Sequence, residues 1–418
     1  MITQLPVTQL HRMETITLDV TEFANGGYAV GRASRGRTVF VPYALPGEKV
    51  KAAIHTEKNK VAYAHLQQVL KASSERVEPR CPHFGVCGGC HFQHMSYEAQ
   101  LRGKQAVVVD QMLRIGNVKD APVRATLPHP QPWDYGMEMS LSPIAGGGVG
   151  FWSPAEKQII PIESCPITRP ELVDLLHDVD LELPGLRKLT LRVGDDEALL
   201  AAVEVDGVEP PDLEADFPLS VVIVLPDDTA VNLIGDNFTI QAIKGRDFRI
   251  SAGCYLPPSA AGMELVVETV RRYAGLTGVE QVLELYSGVG MLTAFLAQGV
   301  AAVVAIEMNP DAVADTAVNV DADHVSLYEG TVEEVLPELD IKPDVLVLHP
   351  PAEGLSREAA KAVAGLRPSR IVYVSSDIAT LARDGRAFGR DGYNLVEVQP
   401  IDTRPQTFHM DVVGVWEK

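Results

Sequence analysis

The sequence predicts a multidomain α/β protein with three parts that follow one another along the chain. The first part holds five short strands with glycine-rich turns, and from about residue 259 helices alternate with buried strands. Between them lies a stretch of strands with Gly, Pro and Asp turns, preceded by a cysteine-rich loop. Short strands with turns are typical of a barrel, and the alternation is typical of a parallel sheet. We expect domains at 13–72, 73–255 and 256–418.

The N-terminal part is predicted to form a small OB-type barrel from the strands Thr15–Phe23, Tyr28–Arg32, Arg37–Val41, Lys49–Ile54 and Ala62–Leu70. Such barrels bind single-stranded nucleic acid by following its backbone with positive charge and stacking its bases on aromatic rings. The side chains suited to this are Tyr28, Arg32, Arg35, Arg37, Phe40 and Tyr43. The alternative for Phe40 and Tyr43 is that they fill the barrel interior.

The middle and last parts are predicted from changes in hydrophobic pattern. A helix is expected at Tyr97–Ile115, and residues 120–255 are expected to form mostly strands. The elements expected after that are helix 259–274, strand 281–285, helix 291–298, strand 302–306, helix 310–319, strand 344–348, helix 356–365, strand 370–374 and helix 378–388. In such parallel sheets the chemistry lies beyond the carboxyl ends of the strands.

The net charge of −20 is unevenly distributed. Residues 1–120 hold 15 Lys and Arg against 10 Asp and Glu, a net charge of +5, whereas the other 298 residues hold 21 against 46, a net charge of −25. A basic front and an acidic body favour a protein that contacts a polyanion at one end. The alternative is that the acidity only keeps a large protein soluble.

The sequence contains no export or membrane-spanning pattern. The first 13 residues lack both a charged and an apolar targeting region, and the densest apolar run, Leu219–Leu225, has the length of a strand. We therefore expect a cytoplasmic protein that contacts no membrane. We also expect it to be a monomer.

Three of the five cysteines cluster within ten residues. Cys81, Cys87 and Cys90 have the spacing Cys-x5-Cys-x2-Cys, and Cys165 follows in Ser-Cys-Pro. Thiolates are ligands for zinc or for iron–sulfur clusters, and zinc sites more often use two CxxC pairs or a CxxC with paired histidines. The spacing favours a cluster. Zinc, with His83, His91 or His94, and free thiols remain open as alternatives.

A glycine-rich turn follows the predicted strand 281–285. The run Glu284-Leu-Tyr286-Ser-Gly288-Val-Gly290 leads into a helix, and the next strand ends in Glu307. The glycines let the backbone approach a ligand closely, and an acid at the end of the second strand can accept hydrogen bonds from both ribose hydroxyls. The pattern fits a dinucleotide or S-adenosylmethionine, and the E-x-x-x-G-x-G form favours the latter. The alternative is a structural turn with an exposed glutamate.

With these features in order, the chain resembles the RNA (uracil-5-)methyltransferases, over nearly its whole length. The resemblance implies a TRAM domain, an OB-type RNA-binding module, at the front and a Rossmann-like S-adenosylmethionine-dependent domain at the end. It also implies that Cys81, Cys87, Cys90 and Cys165 hold a [4Fe–4S] cluster. Tyr373-Val-Ser-Ser376-Asp resembles the family's nucleophile motif, and His409-Met-Asp411 resembles the segment that carries the general base.

The chain departs from the family at the residues that carry the chemistry. Ser376 stands where the family has its cysteine, His349 stands where it has an aspartate before Pro-Pro, and Leu256 stands where it has a glutamine. In the family the cysteine thiolate adds to C6 of uracil so that C5 can attack the methyl group. A serine hydroxyl is almost never ionised without a nearby base, and His349 is a candidate for that base.

These observations lead to two main functional interpretations. The first is an S-adenosylmethionine-dependent methyltransferase that acts on rRNA or tRNA, with Ser376, His349 and Asp411 as catalytic candidates. Its cofactor-binding candidates are Glu284, Tyr286, Gly288, Gly290 and Glu307. The alternative is an inactive RNA-binding or assembly factor that keeps the fold and the cluster. An iron–sulfur redox protein is a third class, but it would not need the glycine-rich loop.

Overall fold

The computed structural model describes residues 14–33, 36–179, 183–207, 217–227 and 229–418. It contains a closed five-stranded barrel, a seven-stranded sheet, a two-stranded hairpin and a second seven-stranded sheet with helices. The predicted multidomain α/β fold class is therefore confirmed. The exact domain boundaries stay predictions.

The barrel strands are β1 (Thr15–Phe23), β2 (Ala29–Arg32), β3 (Thr38–Val41), β4 (Lys49–Lys58) and β5 (Val61–Lys71). They close in the order β1-β2-β3-β5-β4, and only β3 and β5 pair in parallel. Alternate residues such as Leu18 and Val20 point into the barrel because side chains along a strand alternate between its two faces. A Cβ on Gly31 would come within 2.5 Å of the Asp19 carbonyl oxygen, so β2 passes β1 too closely for any other residue.

The central sheet has the order β12-β11-β10-β9-β6-β7-β8, and only β10 and β11 pair in parallel. Its strands are β6 (Glu138–Pro143), β7 (Val149–Ser153), β8 (Gln158–Ile160), β9 (Leu186–Val193), β10 (Leu199–Val205), β11 (Ser220–Val224) and β12 (Ala230–Ile234). Helix α2 (Pro170–Asp178) buries Leu172 and Leu175 against one face of this sheet. The result is a separate apolar core for the middle of the chain.

Helix α1 (Tyr97–Arg114) precedes this sheet in the chain but packs against the last sheet of the chain. The Ser96 hydroxyl caps its first turn by accepting a hydrogen bond from the Ala99 amide (3.4 Å). Its buried residues Val107, Val108 and Met112 belong to the same core as the last sheet of the chain. The hairpin β13 (Phe238–Ile243) and β14 (Arg246–Ser251) also contributes to a core of that last sheet, because Phe248 is buried among its residues.

The C-terminal sheet has the order β17-β16-β15-β18-β19-β21-β20. Its strands are β15 (Gln281–Leu285), β16 (Ala302–Glu307), β17 (Val325–Glu329), β18 (Val345–Leu348), β19 (Arg370–Ser375), β20 (Asn394–Ile401) and β21 (Asp411–Glu417). The first five are mutually parallel, and β21 runs antiparallel to both β19 and β20. The central strands are almost entirely buried and mostly apolar because helices cover both faces.

The helices of this domain are α3 (Ala260–Ala274), α4 (Met291–Leu296), α5 (Pro310–Asn319), α6 (Val332–Val335), α7 (Arg357–Leu366) and α8 (Ile378–Arg390). Strands β15, β16, β18 and β19 all end at one edge of the sheet, which we call the carboxyl edge. In parallel α/β sheets this edge is where ligands bind. No helix in the described ranges is long and apolar enough to cross a membrane.

Candidate active site

The glycine-rich turn after β15 has the backbone conformation of a ligand-binding loop. Tyr286, Gly288 and Gly290 all have positive φ, at 64°, 57° and 79°. A Cβ on Gly290 would lie 2.9 Å from side-chain atoms of Thr316 and Val320, so this position requires glycine. A Cβ on Gly288 would meet nothing within 4 Å. Gly288 therefore borders open space at the carboxyl edge, where a ligand can approach the backbone.

Glu307 ties this loop to the next strand. Its carboxylate accepts hydrogen bonds from the amides of Gly288 (2.8 Å), Met308 (2.9 Å) and Asn309 (2.8 Å). A carboxylate offers about four lone-pair positions, so one remains for a further donor such as a hydroxyl group. Glu307 thus has a structural role in addition to the ligand-binding role that the sequence predicts.

A pocket lies next to Glu307 and the glycine-rich turn. Its lining includes Tyr286, Glu307 and the exposed Met308, together with Gly330, Thr331, Val332, Glu333, Pro351, Glu353, Gly354 and Ser356. Most of this lining is apolar, with carboxylates along it. A pocket with this lining suits a flat apolar ring attached to a hydroxylated sugar.

Glu284, another predicted cofactor residue, lies beneath the loop. It is fully buried, and one of its oxygens accepts a hydrogen bond from the Thr293 hydroxyl (2.7 Å). The other oxygen has no partner among the described residues. Burial raises the pKa of Glu284 to about 8, and the charge of Glu307 adds to this shift. Tyr286 is half-buried, and burial raises its pKa to about 12.

The three predicted catalytic residues lie at the carboxyl edge. Leu348 of β18 pairs with Tyr373 of β19, so His349 follows directly beyond that pair. Ser375 of β19 pairs with Val412 of β21, and the next residues outward on these two strands are Ser376 and Asp411. The topology therefore brings His349, Ser376 and Asp411 to one place. Their roles stay predictions.

Ser376 is exposed, and its hydroxyl makes no hydrogen bond within the described part of the chain. The neighbouring Ser375 is buried, and its hydroxyl exchanges hydrogen bonds with the backbone of Asp377. The suggested base for Ser376, His349, does not bond to it. The Ser376 hydroxyl is therefore not activated as a nucleophile in this structure.

His349 lies close enough to Asp411 to be influenced by its charge, without forming an ion pair with it in the described structure. Burial lowers the pKa of His349, whereas the charge of Asp411 raises it and the charge of Arg404 lowers it. Asp411 is only 6% exposed, and one of its carboxylate oxygens accepts a hydrogen bond from the Thr403 hydroxyl (2.7 Å). A neutral imidazole beside a carboxylate is a suitable arrangement for accepting a proton.

Two residues at this site are missing from the sequence-based candidates. An Arg404 guanidinium nitrogen donates a hydrogen bond to the Tyr255 hydroxyl (3.2 Å), and the ring of Tyr255 is 60% exposed. Leu256 beside it is buried in the core. Arg404 lies in a loop, where no hydrophobic pattern marks it.

The segment 402–410, which we call the closing loop, is fixed by buried polar contacts. The Lys104 ammonium of α1 forms an ion pair with Asp402 and donates to the carbonyl oxygens of His409 (2.7 Å) and Arg404 (3.2 Å). The Gln406 amide donates to the Gln100 side chain (3.0 Å), whose nitrogen donates back to the Gln406 side chain (2.9 Å).

The cysteine-rich loop also contacts the closing loop. The amides of His91 and Phe92 both donate to the Gln406 carbonyl oxygen, at 3.0 and 2.9 Å. The rings of His91 and His409 both pack against Phe408, at centroid distances of 4.6 and 4.0 Å, and lie 6.1 Å from each other. Helix α1 and the cysteine-rich loop together therefore position the loop that carries Arg404 and leads to Asp411.

The four clustered cysteines lie close enough together for their charges to interact. Burial raises the pKa of the Cys90 thiol, and the charges of Cys165, Cys87 and Cys81 raise it further. Thr168 donates a hydrogen bond to the Cys165 sulfur (3.2 Å), and the Gly89 amide donates to the Cys87 sulfur (3.4 Å). All five cysteines are free thiols, and Cys254 lies apart from the others in the core.

Whether these thiols suit a metal group depends on its size. No three His, Cys, Asp or Glu side chains in the described ranges are close enough together to hold a single ion. A four-iron cluster keeps its thiolates farther apart than one zinc ion does, because the whole cluster lies between them. The histidines considered for zinc have other contacts: His94 packs against Phe84 and Tyr43, and His83 accepts from the Glu163 amide. The thiol donor set fits a cluster better than a zinc ion.

The barrel presents three aromatic side chains on one face. The ring centroids of Phe40 and Tyr63 lie 5.1 Å apart and stacked, and Tyr28 packs edge-on against both at 6.2 and 5.8 Å. We call this set the barrel aromatic face.

The other residues suggested to contact RNA have different surroundings. Arg37 forms ion pairs with Glu14 and Glu57, and Tyr43 packs on Phe84. Arg35 lies outside the described residues. Of the suggested RNA contacts, Tyr28, Phe40 and the exposed Arg32 remain available.

The fold and the site define a nucleotide-binding α/β domain of the methyltransferase type joined to a barrel. A family model, the TRAM domain, matches residues 9–66. An uncharacterised RNA methyltransferase of Halalkalibacterium halodurans is 30% identical, over 99% of this chain and 98% of the relative. One from Nostoc is 31% identical, over 97% and 96%.

A solved structure is also similar. The tRNA (uracil-54, C5)-methyltransferase of Pyrococcus abyssi, in complex with S-adenosyl-L-homocysteine, aligns with a TM-score of 0.72 and 22% identity, covering 96% of this chain and 99% of that one. This likeness concerns the fold. The chain belongs to the family of these RNA methyltransferase relatives, which confirms at that level the resemblance noted from its motifs.

Proposed function

We propose that this protein is an S-adenosylmethionine-dependent methyltransferase that modifies rRNA or tRNA. The observation that carries the proposal is the glycine-rich loop at the carboxyl edge, which Glu307 joins to the next strand beside an apolar pocket. The TRAM match and the RNA methyltransferase relatives support an RNA substrate. The free cysteines support a reducing, cytoplasmic location. We include a monomeric state in the proposal.

The residues of the site fit the methyl donor. Gly288 leaves room for the ligand against the backbone, Glu307 offers an acceptor for ribose hydroxyls, and the pocket beyond Met308 suits the adenine ring. Glu284 supports the loop from within the fold. When bound, the donor supplies an electrophilic methyl group.

Calorimetry with S-adenosylhomocysteine tests donor binding directly. We expect binding by the wild-type chain and a loss of about ten- to a hundredfold in Glu307→Ala, because hydrogen bonds to a charged group contribute about 1.5–3 kcal/mol. Glu329→Ala is the matched control, since Glu329 pairs with Glu307 on the neighbouring strand but is exposed and does not line the pocket. Absence of binding heat at millimolar ligand would contradict the proposal.

We also propose that Cys81, Cys87, Cys90 and Cys165 hold a [4Fe–4S] cluster. The support is a set of four neighbouring thiols, with Gly88 packed so closely on Pro154 and Trp152 that a Cβ would lie about 3 Å from them. The amides of His91 and Phe92, which follow Cys90, bond to Gln406. The cluster would therefore fix the cysteine-rich loop against the closing loop.

Anaerobic purification tests the cluster. We expect a broad brown iron–sulfur absorbance with iron and sulfide in equal amounts, and its loss in Cys87→Ser. Cys254→Ser is the control, because Cys254 is a buried thiol in a different core. A colourless protein that contains one zinc ion per chain would rule out the cluster.

An inactive RNA-binding or assembly factor is the second candidate function. The exposed and unactivated Ser376 and the buried Leu256 favour it, because both replace residues that the family uses for C5 chemistry. Mass spectrometry of rRNA and tRNA nucleosides from cells with and without the gene separates the two candidates. A methylated nucleoside that disappears with the gene, and returns with the intact gene, supports the enzyme.

A further inference from the structure

Methylation of a pyrimidine carbon depends on a thiolate. C5 of uracil becomes nucleophilic only after a group adds to C6, and thiolates are the side chains suited to that addition. The chain has five cysteines, and all five are among the described residues. Cys81, Cys87, Cys90 and Cys165 are the proposed cluster ligands, and none of them follows a strand at the carboxyl edge. Only Cys254 remains to be considered.

Cys254 cannot act as this nucleophile. It is 3% exposed, and its neighbours in the core include Met263 and Ile250. Burial raises the pKa of its thiol far above the usual value, and the charges of Asp315 and Asp311 raise it further. It is therefore protonated at neutral pH and inaccessible to RNA.

Ser376 does not take over this function. Its hydroxyl has no hydrogen-bond partner in the described ranges that would remove its proton, and it faces solvent. The groups left at the carboxyl edge are His349, whose ring makes no hydrogen bond to described residues, and the buried carboxylate of Asp411. Both accept protons, and neither adds to a pyrimidine ring.

We propose that this enzyme methylates a nitrogen or oxygen atom of RNA that carries a proton, with His349 beside Asp411 as the acceptor of that proton. The proposal rests on the proposed methyltransferase function and specifies its substrate class. A ring N–H, an exocyclic amino group or a ribose hydroxyl becomes nucleophilic as its proton is removed, so a proton acceptor is enough and no covalent adduct with the protein is needed.

The step balances without a further reactant. The carbon–sulfur bond of the donor's methyl group breaks and its electron pair stays on sulfur. A bond forms between that methyl carbon and the RNA nitrogen or oxygen. The proton of that N–H or O–H passes to the His349 ring, and the Asp411 carboxylate offsets the positive charge that results. Arg404, which is hydrogen-bonded to Tyr255, also lies close enough to His349 to lower its pKa.

A double-label experiment distinguishes carbon from heteroatom methylation. Total RNA from cells that lack the gene, grown with [5-³H]uridine, is incubated with the holoprotein and S-adenosylmethionine labelled with ¹⁴C in the methyl group. We expect ¹⁴C in RNA without tritium release above the enzyme-free control. Tritium release equal to methyl incorporation would overturn the inference but leave the methyltransferase function intact. No ¹⁴C incorporation into any RNA fraction would overturn both.

The proton acceptors are tested by substitution. His349→Ala and Asp411→Asn are expected to slow methyl transfer about 10²–10⁴-fold, the usual contribution of general base catalysis, without weakening S-adenosylhomocysteine binding in calorimetry. His177→Ala is the control, since His177 is an exposed histidine of α2, and Cys254→Ala should also keep the wild-type rate. Unchanged transfer in His349→Ala and Asp411→Asn would contradict their proposed role.

A readout independent of turnover completes the test. RNA that contains 5-fluorouracil traps enzymes that add covalently to C6, because the fluorine cannot leave as a proton does. We expect no protein–RNA adduct of the wild-type chain on denaturing gels. A trapped adduct would show that a side chain of this protein does attack C6, and would overturn the inference.

Discussion

At the scale of single residues, the protonation of Glu284 is a consequence of its burial. The side chain is fully buried, and only one of its two oxygens has a hydrogen-bond partner in the described structure. Burial raises its pKa to about 8 from an ordinary value of 4.5. Because the folded-state pKa lies above the unfolded one, the stability that this residue contributes is fully present below pH 4.5 and is lost as the pH rises through 8.

Glu284→Gln therefore changes how stability depends on pH. The amide stays neutral, so we expect the variant to become more stable relative to wild type between pH 5 and 8.5, with an upper limit of a few kcal/mol at about 1.4 kcal/mol per pKa unit. Urea unfolding at several pH values measures this. The exposed Glu358→Gln of α7 should show no such trend. If the free energy of unfolding depended on pH in the same way for wild type and Glu284→Gln, the raised pKa of Glu284 would be contradicted.

The two loop glycines should respond differently to alanine. Both have positive φ, which costs an alanine about 1–2 kcal/mol, but only Gly290 would also clash with Thr316 and Val320. We expect Gly290→Ala to lose more stability than Gly288→Ala, by about 1–3 kcal/mol for the overpacking. Gly288→Ala should keep the fold and weaken S-adenosylhomocysteine binding. Equal stability losses in thermal unfolding would contradict this assignment.

At the scale of elements, the buried pair Lys104–Asp402 links α1 to the closing loop. Both side chains are almost completely buried, 1% and 0% exposed. Breaking such a pair leaves an unpaired buried charge, so we expect Lys104→Met to lose about 3–5 kcal/mol in urea unfolding. Replacing both partners, in Lys104→Met/Asp402→Leu, should recover most of that loss.

The control for this prediction is a surface pair. Lys188 and Glu204 on β9 and β10 form an ion pair (3.0 Å) with both side chains more than a third exposed. Surface pairs contribute about 0–1 kcal/mol, so Lys188→Met should change stability little. If Lys104→Met were equally mild, the closing loop would not depend on this ion pair.

The sequence predicts some elements better than others for physical reasons. β15 and β19 have almost the predicted bounds, because a central parallel strand is a short apolar run between turns. β17 is absent from the predicted elements since its residues are mostly exposed and carry no clear pattern. β20 and β21 are also absent from the predicted elements, although they pair with each other, because Glu397, Gln399 and Pro400 interrupt the apolar pattern of β20.

The residues of the candidate site also differ in how well the sequence predicts them. His349 and Ser376 are predictable because each directly follows a recognisable strand. Arg404 is not, since its position depends on a pairing between α1 and the closing loop that spans almost 300 residues. The ion pairs that occupy Arg37 are likewise invisible in the sequence, where an arginine on a barrel suggests RNA contact.

At the scale of the whole molecule, the barrel lies beside the closing loop. Gly27, in the turn before β2, packs so closely on Phe408 that a Cβ would lie 3.0 Å from its ring. The next residue, Tyr28, belongs to the barrel aromatic face. The basic N-terminal region therefore lies next to the carboxyl edge, although the rest of the chain is acidic. RNA held by the barrel would reach the active site without a large change in shape.

The barrel aromatic face should accordingly contribute to RNA binding. Stacking on an aromatic side chain contributes about 1–3 kcal/mol per base, so Tyr63→Ala and Phe40→Ala should each weaken binding of a single-stranded RNA roughly five- to a hundredfold. Fluorescence anisotropy at fixed salt measures this, because phosphate contacts make affinity depend on salt. Tyr328→Ala is the matched control: Tyr328 is 40% exposed, close to the 38% of Tyr63, but lies on β17 of the C-terminal sheet. Equal affinity in all variants would show that RNA binds elsewhere, and equal weakening by Tyr328→Ala would show a general effect of losing a surface tyrosine.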